Sequence, residues 1–193
     1  MIFDGKIISE ISDAEINNIV TNHVSERQHL EFKRTINHKS DKEKLELLKD
    51  ITSFANSVGG YIIVGIRDDG SGKAQKYEID GDIDSIKKSI VSLSQEYITE
   101  RIEGLEVYPR TINQNHLIII RIPASNRKPH MITYNNNTIF CKRYNDGKRE
   151  MTLGEIREEF IKDRIGLSLN SIEQNLFNLL NEKKIENEIN DLN

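Results

Sequence analysis

The sequence predicts an α/β chain of mixed α+β character, a mixed sheet flanked by helices with one further helix at the C-terminus. Three observations carry that expectation. Segments whose apolar residues recur every three or four positions are interspersed with β-branched runs. Those runs occur both alone and as pairs separated by short Asn-rich turns. Hydrophobic residues make up 36% and charged residues 30% of the chain, with no Trp, which suits one folded core and excludes a disordered or membrane-embedded chain. A length of 193 residues is enough for a single substantial core, predicted over residues 1–165, with residues 166–193 as an amphipathic helix and polar tail.

Taken in order, Ile11, Ile16, Ile19 and Val20 fall near helical spacing behind Ser12 or Asp13 as N-cap, which predicts a short helix over residues 10–24. Leu30-Glu31-Phe32-Lys33 alternates apolar and charged, the pattern of a half-buried strand with Glu31 and Lys33 on one face. Leu45, Leu48, Ile51, Phe54 and Ala55 predict a helix from Asp41 to Ser57, capped by Ser40 or Asp41 and ended by Gly59-Gly60. Tyr61 to Ile66 is nearly all apolar, as in a central strand covered on both faces, and Arg67-Asp68-Asp69-Gly70 breaks it with turn residues. A helix over residues 82–98 follows a polar stretch. Strands over 105–112 and 116–123 flank Asn113-Gln114-Asn115, and strands over 131–134 and 138–144 flank Asn135-Asn136-Asn137. Thr152 with Glu155 forms a capping-box pattern for a helix to Ile165. Ile172, Leu176, Leu179 and Leu180 stripe the last helix, which can dock on the domain or join two copies as a homodimer.

No basic stretch followed by an apolar run opens the chain and nowhere do eighteen apolar residues follow one another, so no membrane span is expected and the expected compartment is the cytoplasm. The lone Cys141, expected in a strand core, excludes an internal disulfide and a zinc finger. The net charge of −4 is unevenly spread. From Arg110 to Glu150, eight basic residues (Arg110, Arg121, Arg127, Lys128, Lys142, Arg143, Lys148, Arg149) face two acids (Asp146, Glu150), an excess of +6. A segment of that density is either a phosphate-facing surface or an ordinary solvated face.

Two stretches carry the chemistry. Glu26-Arg27-Gln28-His29-Leu30-Glu31-Phe32-Lys33 is followed by Ser53-Phe54-Ala55-Asn56-Ser57-Val58-Gly59-Gly60, the strand Tyr61 to Ile66, and Arg67-Asp68-Asp69-Gly70. With Ser125-Asn126-Arg127-Lys128-Pro129-His130, Thr138 to Arg143 and Met151 to Ile156, this series resembles the Schlafen AlbA_2 family over roughly residues 20–163. The resemblance implies a nucleic-acid-handling domain. In relatives that cleave RNA it implies a catalytic set of two glutamates five positions apart, the second opening Glu-Phe-Lys, and an aspartate after the Gly-Gly strand; Glu26, Glu31 and Asp68 hold those positions. RNA, tRNA-like RNA first, is then the favoured substrate and DNA the second. Other relatives are regulators that bind DNA or RNA without cutting it. Paired domains in eukaryotic relatives form a cradle for RNA, which a single-copy chain would match as a homodimer.

Independently of any family, a carboxylate cluster suits a hard divalent cation such as Mg²⁺ or Mn²⁺, which polarises a phosphodiester and activates water. Lys33, on the strand face of Glu31, can stabilise the developing charge. The bland alternative is a surface Glu31–Lys33 pair, a loop Glu26 and a turn-capping Asp68, and Asp69 rivals Asp68. Arg127, Lys128, His130, Lys142, Arg143 and Tyr144 are the expected nucleic-acid contacts, Tyr144 or Tyr134 stacking on a base or else packing in the core. Gly59 and Gly60 either present amides to phosphate or cap the helix, and Asn56 either faces the ligand or bonds to backbone. Gly70-Ser71-Gly72-Lys73 invites a phosphate-loop reading. The pattern requires Gly where Arg67 stands, Ser or Thr where Ala74 stands, and a helix next, so ATP is not expected.

Overall fold

A computed structural model describes residues 3, 6–36, 40–79, 81–145, 147–162 and 165. In chain order the elements are α1 (Asp13–Thr21), β1 (Leu30–Lys33), α2 (Asp41–Ala55), β2 (Gly60–Val64), β3 (Ile66–Asp68), β4 (Ala74–Tyr77), α3 (Ile83–Tyr97), β5 (Ile98–Thr99), β6 (Glu106–Ile112), β7 (Asn115–Ile122), β8 (Met131–Tyr134), β9 (Asn137–Ile139), β10 (Cys141–Tyr144) and β11 (Gly147–Glu150). The chain divides into two compact units, Met1–Thr152 and Leu153–Asn193. In the second, residues 153–162 are helical, and the expected helix over 166–193 lies outside the described residues.

The central sheet runs β1-β2-β7-β6, with β1 parallel to β2 and the other pairs antiparallel. A parallel neighbour needs a crossover, and α2 supplies it between β1 and β2. Strand alternation splits β2 and β7 between two cores. Ile62, Val64, Ile118, Ile120 and Ile122 pack with Leu47, Leu48, Ile51 and Phe54 of α2 and Ile86, Ile90 and Leu93 of α3. Tyr61, Ile63, Leu117 and Ile119 pack with Ile16 and Ile19 of α1 and with Ile66 and Ala74 of the β3–β4 hairpin. The mixed α/β class is as the periodicities predict, in three layers, and β2 is buried along its whole length.

Ser12 and Ser40 are the caps of α1 and α2, each accepting an N–H three residues on. The Asn-rich turns tighten to two residues. Asn113 and Gln114 between β6 and β7, and Asn135 and Asn136 between β8 and β9, all have positive φ, the backbone that matches the twist of a two-residue hairpin.

The expected strand Tyr61–Ile66 is interrupted. Gly65 turns the chain at φ +105, where a Cβ would stand 2.9 Å from the His116 carbonyl, and Ile66 starts the β3–β4 hairpin, which runs on through the residues read as a turn and a polar stretch. The expected strand 138–144 also divides, because β9 pairs with β8 whereas β10 pairs with β11. No helix among the described residues is long and apolar enough to cross a membrane.

Candidate active site

β1 is an edge strand, so groups from both faces of the sheet can meet around it. Leu30 and Phe32 enter the α1-side core, which turns Glu31 and Lys33 to the α2 side. The segment before β1 lies against the β3–β4 hairpin: the Glu26 N–H donates to the Gly72 carbonyl at 2.7 Å and the Ala74 N–H to the Val24 carbonyl at 2.9 Å. That docking brings Asp68 toward Glu26. The Glu26 carboxylate itself folds onto the open edge of β1, where Oε1 accepts the Phe32 N–H at 2.7 Å. Gly72 is needed here, since a Cβ on it would stand 2.9 Å from Glu26 Oε2.

Glu26 therefore comes within electrostatic reach of both Glu31, five residues on, and Asp68, which is distant in sequence. Burial pushes the Glu26 carboxyl up to about 7, against the Phe32 hydrogen bond, and the charges of Glu31 and Asp68 push the same way. Arg143 pulls in the opposite direction. Asp69 behaves differently. Its Oδ1 accepts from the Ser71 hydroxyl and from the Ser71 and Lys73 amides, which holds it down at about 2, so its charge serves its own turn.

A raised folded pKa has a stability consequence. Between the ordinary value of 4.5 and about 7, folded Glu26 keeps a proton that the unfolded chain releases, so metal-free stability falls as pH rises through that window. Glu26→Gln is expected to flatten the fall. Melting temperatures of both proteins at pH 5 and pH 8 check it, and parallel pH dependences would refute it.

The surroundings are ionic. Glu31 Oε2 accepts from the Arg143 guanidinium at 2.8 Å, and Arg143 is itself buried, donating also to the Arg27 carbonyl and lying 4.4 Å above the Phe54 ring. Lys33 Nζ is 3.9 Å from Glu31 but 2.7 Å from Asp50 on α2. Asp50 has no solvent exposure and is also bound by Lys148 of β11, which reaches Glu46 at 3.0 Å. Desolvation would lower Lys148, but Asp50 and Glu46 outweigh it and hold its pKa above the ordinary value. Asp50 is the participant that the sequence reading passed over. The signal was present: an acid three residues after Leu47 and four before Phe54 lies on the apolar stripe of α2, where an unpaired charge is not tolerated.

The expected nucleic-acid contacts separate into exposed and internal groups. Arg127 is exposed beside Glu103 at 3.2 Å, Lys128 donates to the Ser57 carbonyl at 2.6 Å, Lys142 is half-buried, and the half-buried Tyr144 ring lies 3.8 Å under the Arg149 guanidinium. His130 is fully buried, its Nδ1 against the Glu100 carbonyl at 2.8 Å and its pKa lowered by burial. Much of the +6 excess is consumed inside the fold, since Arg110 pairs with Asp13 at 2.8 Å and Arg121 with Glu106 at 2.9 Å. Asn56, also fully buried, bonds to backbone: Nδ2 donates to the His130 and Cys141 carbonyls at 2.9 Å each, and Oδ1 accepts the His130 N–H at 2.7 Å. The Gly59 N–H closes α2 on the Phe54 carbonyl, and residues 70–73 form a hairpin turn with no helix after it. Cys141 is buried, and burial pushes its thiol up to about 11, out of the nucleophile range.

Glu26, Glu31 and Asp68 offer hard oxygen donors of the kind that Mg²⁺ or Mn²⁺ takes, and a cation beside Glu26 would offset both its burial and the charges of Glu31 and Asp68 that raise it. In chemistry and charge the residues fit such an ion. As the side chains stand, Glu31 is paired with Arg143 and no three His, Cys, Asp or Glu groups among the described residues close around one point.

The family described as Schlafen, AlbA_2 matches residues 26–152, a stretch that starts at Glu26 and ends with the first compact unit. Among solved structures, the DIP2311 protein from Corynebacterium diphtheriae is similar at 19% identity and a TM-score of 0.49 over 76% of this chain, which spans 27% of that protein. The N-terminal domain of a RecG-related protein from Nitrosomonas europaea is similar at 16% identity and a TM-score of 0.46, over 60% of this chain and 74% of that one. No curated protein matches.

Proposed function

The chain belongs to the Schlafen AlbA_2 family, and from that premise we propose that it binds nucleic acid and cleaves RNA as an endonuclease, with a divalent cation held by Glu26, Glu31 and Asp68. The observation that supports the reading is that Glu26 lies within electrostatic reach of both Glu31 and Asp68, and is raised to about 7 by burial and by their charges. Mg²⁺ or Mn²⁺, when bound, supplies Lewis acidity toward the phosphodiester and a more acidic water. Lys33, fixed by Asp50, holds a positive charge 3.9 Å from Glu31, where negative charge develops on the phosphate. Arg143, bound to Glu31 at 2.8 Å, would supply a second positive charge beside a cation held there. The preference for RNA over DNA rests on the family resemblance.

One observation favours a second reading, a domain that binds nucleic acid without cutting it: Glu31 is already neutralised by Arg143 at 2.8 Å. The two separate on metal dependence. Incubation of tRNA and single-stranded DNA with Mg²⁺, Mn²⁺ or EDTA is expected to give cutting of the RNA that EDTA stops. Binding with no cutting in any metal would leave the second reading.

A further inference from the structure

We infer that the outer face of the β3–β4 hairpin, together with Arg34, is the track on which the phosphate backbone of a nucleic acid docks beside the carboxylate site. The inference rests on the nucleic-acid reading above, and not on cleavage.

Arg67 and Lys76 are directly opposite in the hairpin register, so their side chains leave the same face of the ribbon. Both reach a single oxygen, Glu78 Oε2, at 3.6 Å and 2.9 Å, while the other oxygen of Glu78 takes Arg34 Nε at 3.2 Å. Even with Arg34 set aside, two cations meet one carboxylate. Glu78 thus gathers like charges without neutralising them, and an arriving anion relieves their repulsion. The side chains are also within reach of solvent and of such an anion, because Arg34, Arg67 and Lys76 are 50%, 54% and 60% exposed. In the basic segment, by contrast, Arg143 and Lys148 point inward to Glu31 and Asp50.

The location joins this face to the chemistry. A register shift between Arg67 and Asp68 bends β3, and an open cleft of about 470 Å³ there is lined by Phe32, Arg34, Arg67 and Asp68 among others. A phosphate held by the two guanidinium groups therefore lies next to the aspartate that faces Glu26. Asp69, the other acid of this cleft, stays ionised in its own turn, so the hold on a phosphate there comes from Arg34, Arg67 and Lys76 against that charge.

The test is fluorescence anisotropy of a labelled single-stranded RNA in EDTA over a salt series, which reads binding apart from cutting. The double variant Arg67→Gln/Lys76→Gln changes two exposed side chains and is expected to weaken binding about tenfold or more. It should also reduce the slope of log affinity against log salt by about 1.4, because two phosphates of a single strand are no longer neutralised. The control, Lys88→Gln/Arg101→Gln, removes two exposed cations that belong to neither the hairpin nor the basic segment and is expected to leave the slope near wild type. An unchanged slope in the hairpin variant, or a larger loss in the control, overturns the inference. Failure of the wild type to bind any nucleic acid overturns it together with the nucleic-acid reading. Hairpin-dependent binding without cutting in Mg²⁺ upholds it while the nuclease reading falls.

Discussion

Asp68→Asn is expected to lower metal-dependent RNA cleavage by about a thousandfold while leaving the fold intact. A carboxylate ligand whose loss forfeits about 4 kcal/mol of transition-state stabilisation costs that factor. The substitution is gentle on structure, because Asp68 is half-buried and the hydrogen bond it accepts from the Gly70 N–H at 3.3 Å can be kept by the Asn carbonyl oxygen. Single-turnover cleavage beside a thermal melt measures both parts. Asp69→Asn is the companion: its carboxylate serves the turn, so it should cut at close to the wild-type rate with a slightly less stable hairpin. Equal loss in both variants would make the effect one of turn structure and remove Asp68 from the ligand set. Glu31 is a poorer probe, since Glu31→Gln leaves Arg143 buried without its counter-charge, a loss of about 3–5 kcal/mol.

A large loss of stability is expected from Asn56→Ala. One buried amide satisfies two carbonyls and one N–H, fixing the loop at His130 and strand β10 at Cys141 to the end of α2. Alanine leaves all three backbone groups without that partner. At about 1–3 kcal/mol for each, reduced where water enters, the sum is about 3–5 kcal/mol. Urea denaturation measures it, and a loss under about 1 kcal/mol would mean that the clamp is redundant with the neighbouring Ser57–Arg143 backbone bonds.

The residues that spoke clearly in the sequence were those whose neighbours impose a period. Leu30 to Lys33 alternates, α2 carries its apolar stripe behind Ser40, and Tyr61 to Val64 is continuously β-branched or aromatic; all three fold as read. β4 and β11 were illegible because Ala74-Gln75-Lys76-Tyr77 has apolar residues only at its two ends, out of alternation, and Gly147-Lys148-Arg149-Glu150 has none to set a phase. Their strand character comes from partners elsewhere in the chain. Charge was misleading for a related reason. A count along the chain records how many cations a segment holds, whereas their use depends on which acids the fold brings opposite, as Asp13 meets Arg110 and Asp50 meets Lys148. Glu26, Glu31 and Asp68 were suggested by family resemblance. What spacing alone withheld was the reason Asp68 lies near Glu26, which is the docking of the β3–β4 hairpin on the segment that bears Glu26.

The burial of Asp50 also sets an order of events in time. A ribosome delivers β1 and α2 first, so the acid groups at 26, 31, 50 and 68 all emerge before the two cations at 143 and 148 that complete their pairing. Until roughly three quarters of the chain has been synthesised, Asp50 has Lys33 without Lys148 and Glu31 lacks Arg143, so a nascent chain cannot bury either acid at native cost. The same delay applies to β2, whose antiparallel neighbour β7 ends at Ile122. The ion pairs of Glu31 and Asp50 are thus completed late in synthesis, and a product terminated before Arg143 carries both acids without these partners.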